Sequence, residues 1–308
     1  MFRALADPTR LRILMLLRAM ELSVGELAQV LGQSQPRVSR HVKILADAGL
    51  AQRRKEGSWV FLTLGDPARL EPLFAAIDAW QASGDGASDL ARLSAIQAER
   101  AAAAERYFEA QAANWDAVRS LHVAESEVEA ALARAVGEGP LGHLVDIGTG
   151  TGRMLTLFAG RATSAIGVDR SSEMLRLARA KLAEAGLARA ELRQGDIYAL
   201  PLAAGAADLV LVHQVLHYAQ QPAAAIAEAA RLLAPGGRLL IVDFAAHELE
   251  ELRARDAHVR LGFSDRQMLG WLDAAGLQAE ACAALEGGEL TVKIWRGLRP
   301  ALAARKVA

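Results

Sequence analysis

Three acids and an alternating run of glycines set the chemistry this chain can attempt. HLVDIGTGTGRM places Asp146 two residues before Gly148, with Gly150 and Gly152 at alternate positions after it. Glycines so spaced let a loop turn tightly and bring backbone N–H groups, with the start of the next helix, close to a ligand. A dinucleotide loop reads G-x-G-x-x-G, and its third glycine would fall at Arg153. The spacing here is G-x-G-x-G, which counts against nicotinamide and flavin dinucleotides. Downstream, AIGVDRSSEML ends an apolar run at Asp169, whose carboxylate can accept both hydroxyls of a ribose. LRQGDIYALPL then presents Asp196 and Ile197, suited to the edge and face of an adenine.

Proton-transfer groups follow. ADLVLVHQVLHY carries His213, His217 and Tyr218, and Asp243, His247 and His258 lie further on. Two readings of His217 and Tyr218 stand: a base beside the reacting atom, or a cap on the strand packing beneath the ligand. HELEELRARDAH, residues 247–258, scatters its acids and histidines around a helix. It reads as a solvated amphipathic helix and not as a metal site. One cysteine, Cys282, excludes a disulfide framework and any multi-thiolate metal centre.

The elements that position this set alternate over residues 141–245. Strands end at Ile147, Asp169, the Gly195–Ile197 step and His213, and APGGRLLIVDF adds a fifth after a helix from Pro222 to Leu233. Such alternation demands a parallel sheet with ligands at the strand carboxyl ends. The tail from Ala246 completes the sheet, with LTVKIWRG as a late strand.

These residues resemble class I S-adenosylmethionine-dependent methyltransferases over roughly residues 106–245, because four motifs occur in order. The resemblance implies a Rossmann-like α/β domain with a seven-stranded, mostly parallel sheet. It implies that Asp146, Gly148 and Gly150 frame the methionine end of S-adenosylmethionine, with His213 also at the cofactor. Asp169 would hold the ribose, and Asp196 with Ile197 the adenine. Thr149 stands where many members have Cys. His213 and His217 are the candidate catalytic residues, for a small-molecule acceptor. Arsenic methylation is excluded, since it needs several thiolates and Cys282 stands alone.

Charge marks off the other end of the chain. The net charge is −1, yet residues 1–65 hold ten Lys and Arg against five Asp and Glu, a balance of +5 that leaves −6 on the remainder. A basic head meets phosphate. Asp7 and Pro8 open a helix with Leu11, Leu14, Met15 and Leu17 at helical spacing. In SVGELAQVLG, Ser23 and Glu26 form a capping box and Gly32 closes the helix. SQPRVSRHVKILADAG makes the next helix, with Ser34 as N-cap, Gly49 as stop and Val38, Val42 and Leu45 buried. Gln35, Arg37, Ser39, Arg40 and Lys43 then face outward toward a major groove. LAQRRKEGSWVFLTL reads as a β-hairpin whose Arg53, Arg54 and Lys55 touch flanking phosphates.

Helix, helix, helix and basic hairpin make an α+β winged helix-turn-helix. LADPTRLRILMLL, ELAQVLGQSQPRVSRHVKILADAGL and RRKEGSWVFLTL resemble the ArsR/SmtB family of winged-helix repressors over residues 1–65. That resemblance implies a homodimer on a double-stranded DNA operator with an inverted repeat, His41 also falling in the groove helix. Arsenic- and lead-sensing members carry cysteines in the segment matching ELSVGEL. Ser23 and Gly25 stand there instead, so metal sensing at that place is not expected.

Between the two lies an amphipathic helix, Asp66 to Trp80, implied by the resemblance to pack between protomers. ASGDGASD, residues 82–89, reads as a linker, and residues from about Leu90 to Val118 as one long helix. Tyr107, Phe108 and Trp115 recur along it, as core or as a pocket wall. The expected domains are 1–81 for DNA binding and dimerisation, 82–118 for linker and connector, and 119–308 for the methyltransferase. No apolar run near the start spans a membrane and no signal peptide is visible, so a cytoplasmic protein is expected. Two functions fit: a DNA-binding regulator that methylates a small molecule, or a repressor in which the same fold senses S-adenosylmethionine or S-adenosylhomocysteine without turnover.

Overall fold

A computed structural model describes residues 2–56, 58–80, 86–111, 124–187, 189–287 and 289–301. The chain packs as two units, residues 1–103 and 104–308.

The first unit opens with a short helix, α1 (Phe2–Leu5), that the sequence reading did not foresee. Asp7 caps α2 (Pro8–Ala19), accepting from the backbone N–H of Thr9 at 2.8 Å and of Arg10 at 3.3 Å. Ser23 ends the two-residue strand β1 (Leu22–Ser23) and closes a capping box with Glu26 on α3 (Val24–Leu31). Helix α4 (Gln35–Asp47) follows, with Ser34 at the N-cap position but without a side-chain capping bond. Strands β2 (Ala51–Glu56) and β3 (Trp59–Leu64) pair antiparallel, and β1 adds to β3. Ile13, Leu14, Leu27, Val30, Val38, Val42, Leu45 and Leu62 form the core beneath. Each such side chain contributes about 1.5–3 kcal/mol on burial.

Helix α5 (Pro67–Trp80) and the part of α6 (Gly86–Gln111) up to residue 103 extend this unit, and Leu70, Phe74 and Leu93 join its core. The expected linker over 82–89 is thereby corrected, because residues 86–89 already form the first turn of α6. The cause is tertiary: the Arg12 guanidinium clasps the Asp89 carboxylate in two bonds of 2.5 and 2.6 Å, and Asp89 is 3% exposed. A paired, buried acid overrides the local turn preference of Gly, Ser and Asp. Residues 81–85 and 112–123 lie outside the described residues. The long helix is therefore described only to Gln111, and Trp115 not at all.

The second unit is a seven-stranded sheet. Its helices and strands run α7 (Glu125–Val136), β4 (His143–Ile147), α8 (Arg153–Phe158), β5 (Ser164–Asp169), α9 (Ser172–Glu184), β6 (Glu191–Gln194), β7 (Ala207–His213), α10 (Pro222–Leu232) and β8 (Leu233–Phe244). They continue through α11 (Glu251–Arg255), α12 (Asp265–Ala274), β9 (Gln278–Gly287) and β10 (Leu290–Leu298). The spatial order is β6-β5-β4-β7-β8-β10-β9, with β10 antiparallel to both neighbours and the first five strands parallel. Both faces are covered, as a parallel sheet requires. Val145, Ile147, Val210, Val212 and Ile241 pack toward α10 and α12, while Leu144, Leu209, Leu211 and Leu240 pack toward α7 and α8. Strand order reverses between β4 and β7, which opens a crevice at their carboxyl ends. Among the described residues no helix is long and apolar enough to cross a membrane.

Candidate functional site

At that crevice the chain leaves β4 through the glycine loop. Gly148 and Gly150 adopt left-handed φ values of 69° and 53°. A Cβ at Gly148 would stand 2.4 Å from Val215 Cγ2, so only glycine fits between the loop and the segment after β7. The Gly148 and Thr149 N–H groups donate to the Val168 carbonyl at 2.8 and 3.0 Å, which anchors the loop to β5. Asp146 is buried below it and accepts from Thr149 Oγ1 at 2.6 Å. This acid holds the loop's shape.

Asp169 comes to the same place from β5. Its Oδ2 accepts from the Gly150 N–H at 2.8 Å and its Oδ1 from the Ser171 N–H at 2.9 Å. Burial raises its pKa above the ordinary carboxylate range, against the pull of the Ser171, Gly150 and Arg170 N–H groups. Each carboxylate oxygen keeps a further lone pair, so the group can still accept the two hydroxyls of a ribose. Ser171 also caps α9 through its hydroxyl on Met174 N–H at 3.3 Å. The sequence reading passed over Ser171, although Ser followed by Glu at a helix start is a visible signal.

Asp196 and Ile197 follow the carboxyl end of the edge strand β6, whose Gln194 pairs with Asp169. Strand β6 ends at Gln194, short of the expected Gly195–Ile197 step. Asp196 bridges to Ala199 instead, its Oδ1 accepting from Tyr198 N–H at 3.0 Å, with Ile197 half-buried against the core. His213 is buried at the end of β7, opposite Val242. The next residue, Gln214, holds a left-handed φ of 53° and donates its N–H to the Val242 carbonyl at 2.7 Å. Backbone strain of this kind in a non-glycine residue clusters at functional sites.

His217 lies in a one-turn 3-10 helix, Leu216–Tyr218, 2% exposed, with Nδ1 2.8 Å from Asp243 Oδ1. Its ring packs on Tyr218 at 4.0 Å, His258 at 4.4 Å and Phe244 at 4.9 Å between centroids. Burial pushes the Tyr218 phenol well above its ordinary range, with Tyr107, Asp243 and Asp256 adding to the effect. Tyr107 and Phe108 pack with Tyr218 on Met174 of α9. The expected solvated helix over 247–258 is corrected here. Only Glu251–Arg255 are helical, and Leu252, Asp256 and His258 are buried. The ring contacts of His258 draw the segment inward, where the charge pattern alone predicted a wet face. Among the described residues no group of three or more His, Cys, Asp or Glu could hold a metal ion.

In the first unit, Gln35, Arg37, Ser39, Arg40 and Lys43 stand exposed along α4, opposite the buried Val38, Val42 and Leu45. His41 lies between the two faces, its Nδ1 3.9 Å from Asp7 Oδ1. Arg53 and Lys55 are exposed on β2. Arg54 is not grouped with them: strand alternation turns it toward Glu56, at 2.5 Å, and Glu21, at 2.9 Å. Its guanidinium also lies 5.1 Å from the Phe61 ring centroid. It ties the hairpin to the segment before α3.

Comparison with known proteins follows this division. A family described as bacterial regulatory protein, arsR family, matches residues 7–53, and a methyltransferase domain matches residues 145–241. The chain carries an arsR-family regulatory domain followed by a methyltransferase domain. The arsenical resistance operon repressor of Escherichia coli is 48% identical over 65 residues, covering 21% of this chain and 56% of the repressor. The methyltransferase YcgJ of Bacillus subtilis is 32% identical over 127 residues, covering 38% of this chain and 50% of YcgJ. A 37.1 kDa protein of transposon TN4556 in Streptomyces fradiae is 36% identical over 185 residues, 56% of this chain and 50% of its own. The chain thus spans about half the length of the curated relatives it matches. The solved YcgJ structure superposes at a TM-score of 0.52 with 19% identity, over 57% of this chain and 99% of YcgJ. The Haloferax volcanii complex of the Trm112 methyltransferase activator with a methyltransferase gives 0.54 at 21% identity, over 65% of this chain and 99% of the matched one. Both likenesses show the fold of the methyltransferase domain.

Proposed function

We propose that the protein is a DNA-binding transcriptional regulator whose methyltransferase domain binds S-adenosylmethionine and methylates a small molecule. The observation that carries the reading is the cradle in which the Asp169 carboxylate meets the left-handed glycine loop, at the point where strand order reverses. A half-buried acid held by backbone donors, beside a glycine position with no room for a Cβ, is what an adenosyl ligand of this kind needs. When bound, that cofactor supplies an electrophilic methyl group on a sulfonium. The chain's part is to align the acceptor with it, which is worth much of the rate. Asp146, Gly148, Gly150, Asp169, Asp196, Ile197 and His213 form the cofactor side of this proposal, with His213 and His217 toward the acceptor. In the regulatory domain, Gln35, Arg37, Ser39, Arg40, Lys43, Arg53 and Lys55 meet a double-stranded operator, read as an inverted repeat by a homodimer. Arg54 supports the wing that carries the last two.

A second reading uses the same cradle as a receptor, so that S-adenosylmethionine or S-adenosylhomocysteine changes operator affinity without turnover. Its support is that the exposed basic face and the cradle belong to one chain. Linkage then requires the ligand to bind the operator-competent and incompetent states unequally. The test is operator binding by the full chain, titrated with each ligand, beside a methyl-transfer screen over small molecules. Methylation of an acceptor supports the enzyme. A ligand-dependent shift in operator affinity without any methylated product supports the receptor, and unchanged affinity with both ligands removes it.

A further inference from the structure

The amino ends of the parallel strands, at the other end of the sheet from the cradle, hold a group of arginines that the proposed function does not use. Arg238 lies on β8, level with Leu209 of β7 and Leu298 of β10. Leu240, two residues further on, packs toward α7 and α8, and Arg296 of β10 pairs with it. Residues two apart on a strand share a face, so Arg238 and Arg296 stand on the α7 side as diagonal neighbours. Arg161 reaches the same rim from the 3-10 turn Ala159–Arg161 that follows α8. Its carbonyl accepts from Leu141 N–H at 3.0 Å, just before β4. Its guanidinium donates Nε to the Gly139 carbonyl at 3.1 Å, and Nη2 to the carbonyls of Gly137 and Gly139 at 2.6 and 2.8 Å.

The three differ in what answers their charge. Arg296 is paired with Glu280 on β9. Arg161 is occupied by the carbonyls that follow α7, with Nη1 left over. Arg238 is half-buried and makes no hydrogen bond or ion pair among the described residues. Burial pulls its pKa below the ordinary value, and the like charges of Arg296 and Arg161 pull in the same direction. A guanidinium keeps its proton under such pressure. The fold therefore holds a half-buried cation between two others, an arrangement that costs stability until an anion completes it.

We propose that Arg238, with Arg296 and Nη1 of Arg161 beside it, binds a phosphate group. Each guanidinium is a planar fork that matches phosphate oxygens in pairs. A tetrahedral phosphate presents oxygens in several directions, which suits forks arriving from β8, β10 and the turn after α8. A carboxylate presents two oxygens in one plane. Two sources carry phosphate chemistry, a small phosphorylated molecule and the DNA backbone. The proposal does not depend on the cradle, and its failure would leave the S-adenosylmethionine reading as it stands.

The test uses the full chain, wild type beside Arg238→Met, which keeps the apolar stem and removes the fork. Inorganic phosphate is titrated by calorimetry, with chloride adjusted to hold the ionic strength constant. Wild type should bind phosphate saturably, and Arg238→Met about 10- to 100-fold more weakly. Arg296→Gln should weaken binding as well, while Arg266→Gln, exposed on α12, should match wild type. An arginine needed only by the fold would lower the melting midpoint when replaced. Arg238→Met should instead melt at or above wild type in phosphate-free buffer, and phosphate should raise the wild-type midpoint more than the variant's. No saturable binding by wild type, equal binding by Arg238→Met, or an equal loss in Arg266→Gln overturns the proposal. So does a lower midpoint of Arg238→Met without phosphate. A duplex of random sequence then separates the sources. A slope of log affinity against log salt reduced by about 0.9 in Arg238→Met assigns the site to the DNA backbone, and an unchanged slope to a small phosphorylated molecule.

Discussion

The regulatory domain keeps its proposed contact groups outside the fold. Arg37, Arg40 and Lys43 are exposed on the solvent side of α4, and the residues that hold that helix, Val38, Val42 and Leu45, are different ones. The methyltransferase domain does the reverse. Asp146 shapes the loop that it also helps to present, and Asp169 is tied to Gly150 and Ser171 by the bonds that define the cradle. The contrast follows from the ligands proposed. A polyanion is met by charge at a surface, where the cost in stability is small. A small cofactor must be enclosed, and enclosure makes the same atoms serve packing and recognition. Substitutions in the head should therefore separate function from folding, and substitutions in the body should not.

The sharpest use of this contrast is a crossed pair. Asp169→Ala removes the acceptor of two charge-assisted hydrogen bonds of about 1.5–3 kcal/mol each, so affinity for S-adenosylmethionine should fall roughly 10²–10⁴-fold. Operator binding without ligand should stay at the wild-type value. Arg37→Ala should weaken operator binding by about 1–3 kcal/mol and leave cofactor affinity alone. Calorimetry and gel shifts on both variants read all four quantities. If Asp169→Ala lowers ligand-free operator affinity as much as Arg37→Ala, the two domains are not separable in the way their sites suggest.

A smaller effect tests whether α6 begins in the head. Asp89→Ala leaves Arg12 without the carboxylate it clasps, and breaking a buried pair is costly. Arg12 is 35% exposed on its side chain, so water recovers part of that loss, and about 1–3 kcal/mol is expected. The readout is denaturant unfolding of the full chain followed on the head. An unchanged midpoint would mean that residues 86–89 behave as the linker their composition suggests.

That residue shows where sequence reasoning stopped. The capping box of Ser23 and Glu26, the stripe of Val38, Val42 and Leu45, and the strands ending at Ile147, Asp169 and His213 are local patterns, and the structure has them. Asp89 is governed by Arg12, 77 residues away, and no local window contains both. The same holds for His217 and Asp243. Each was visible as a candidate, but the bond between them depends on two strands lying side by side. The segment 247–258 failed for the opposite reason. Its charges mark a surface, which Glu248, Glu251 and Arg255 still form, while the burial of His258 follows from its seating against rings on other elements.

The smallest expected effect concerns the wing, where one residue breaks the pattern of its neighbours. Arg53 and Lys55 are exposed, while Arg54 is turned to Glu21 and Glu56 and lies over Phe61. Each phosphate neutralised by a protein cation adds about 0.9 to the slope of log affinity against log salt. Arg53→Ala should lower that slope by about this amount with stability unchanged. Arg54→Ala should leave the slope as it is and instead loosen the hairpin, by about 1 kcal/mol in thermal or denaturant unfolding. The pair is only partly buried, so a larger loss is not expected. Equal drops in slope for the two variants would return Arg54 to the DNA-facing set. The wing would then be held by the pairing of β2 with β3 alone.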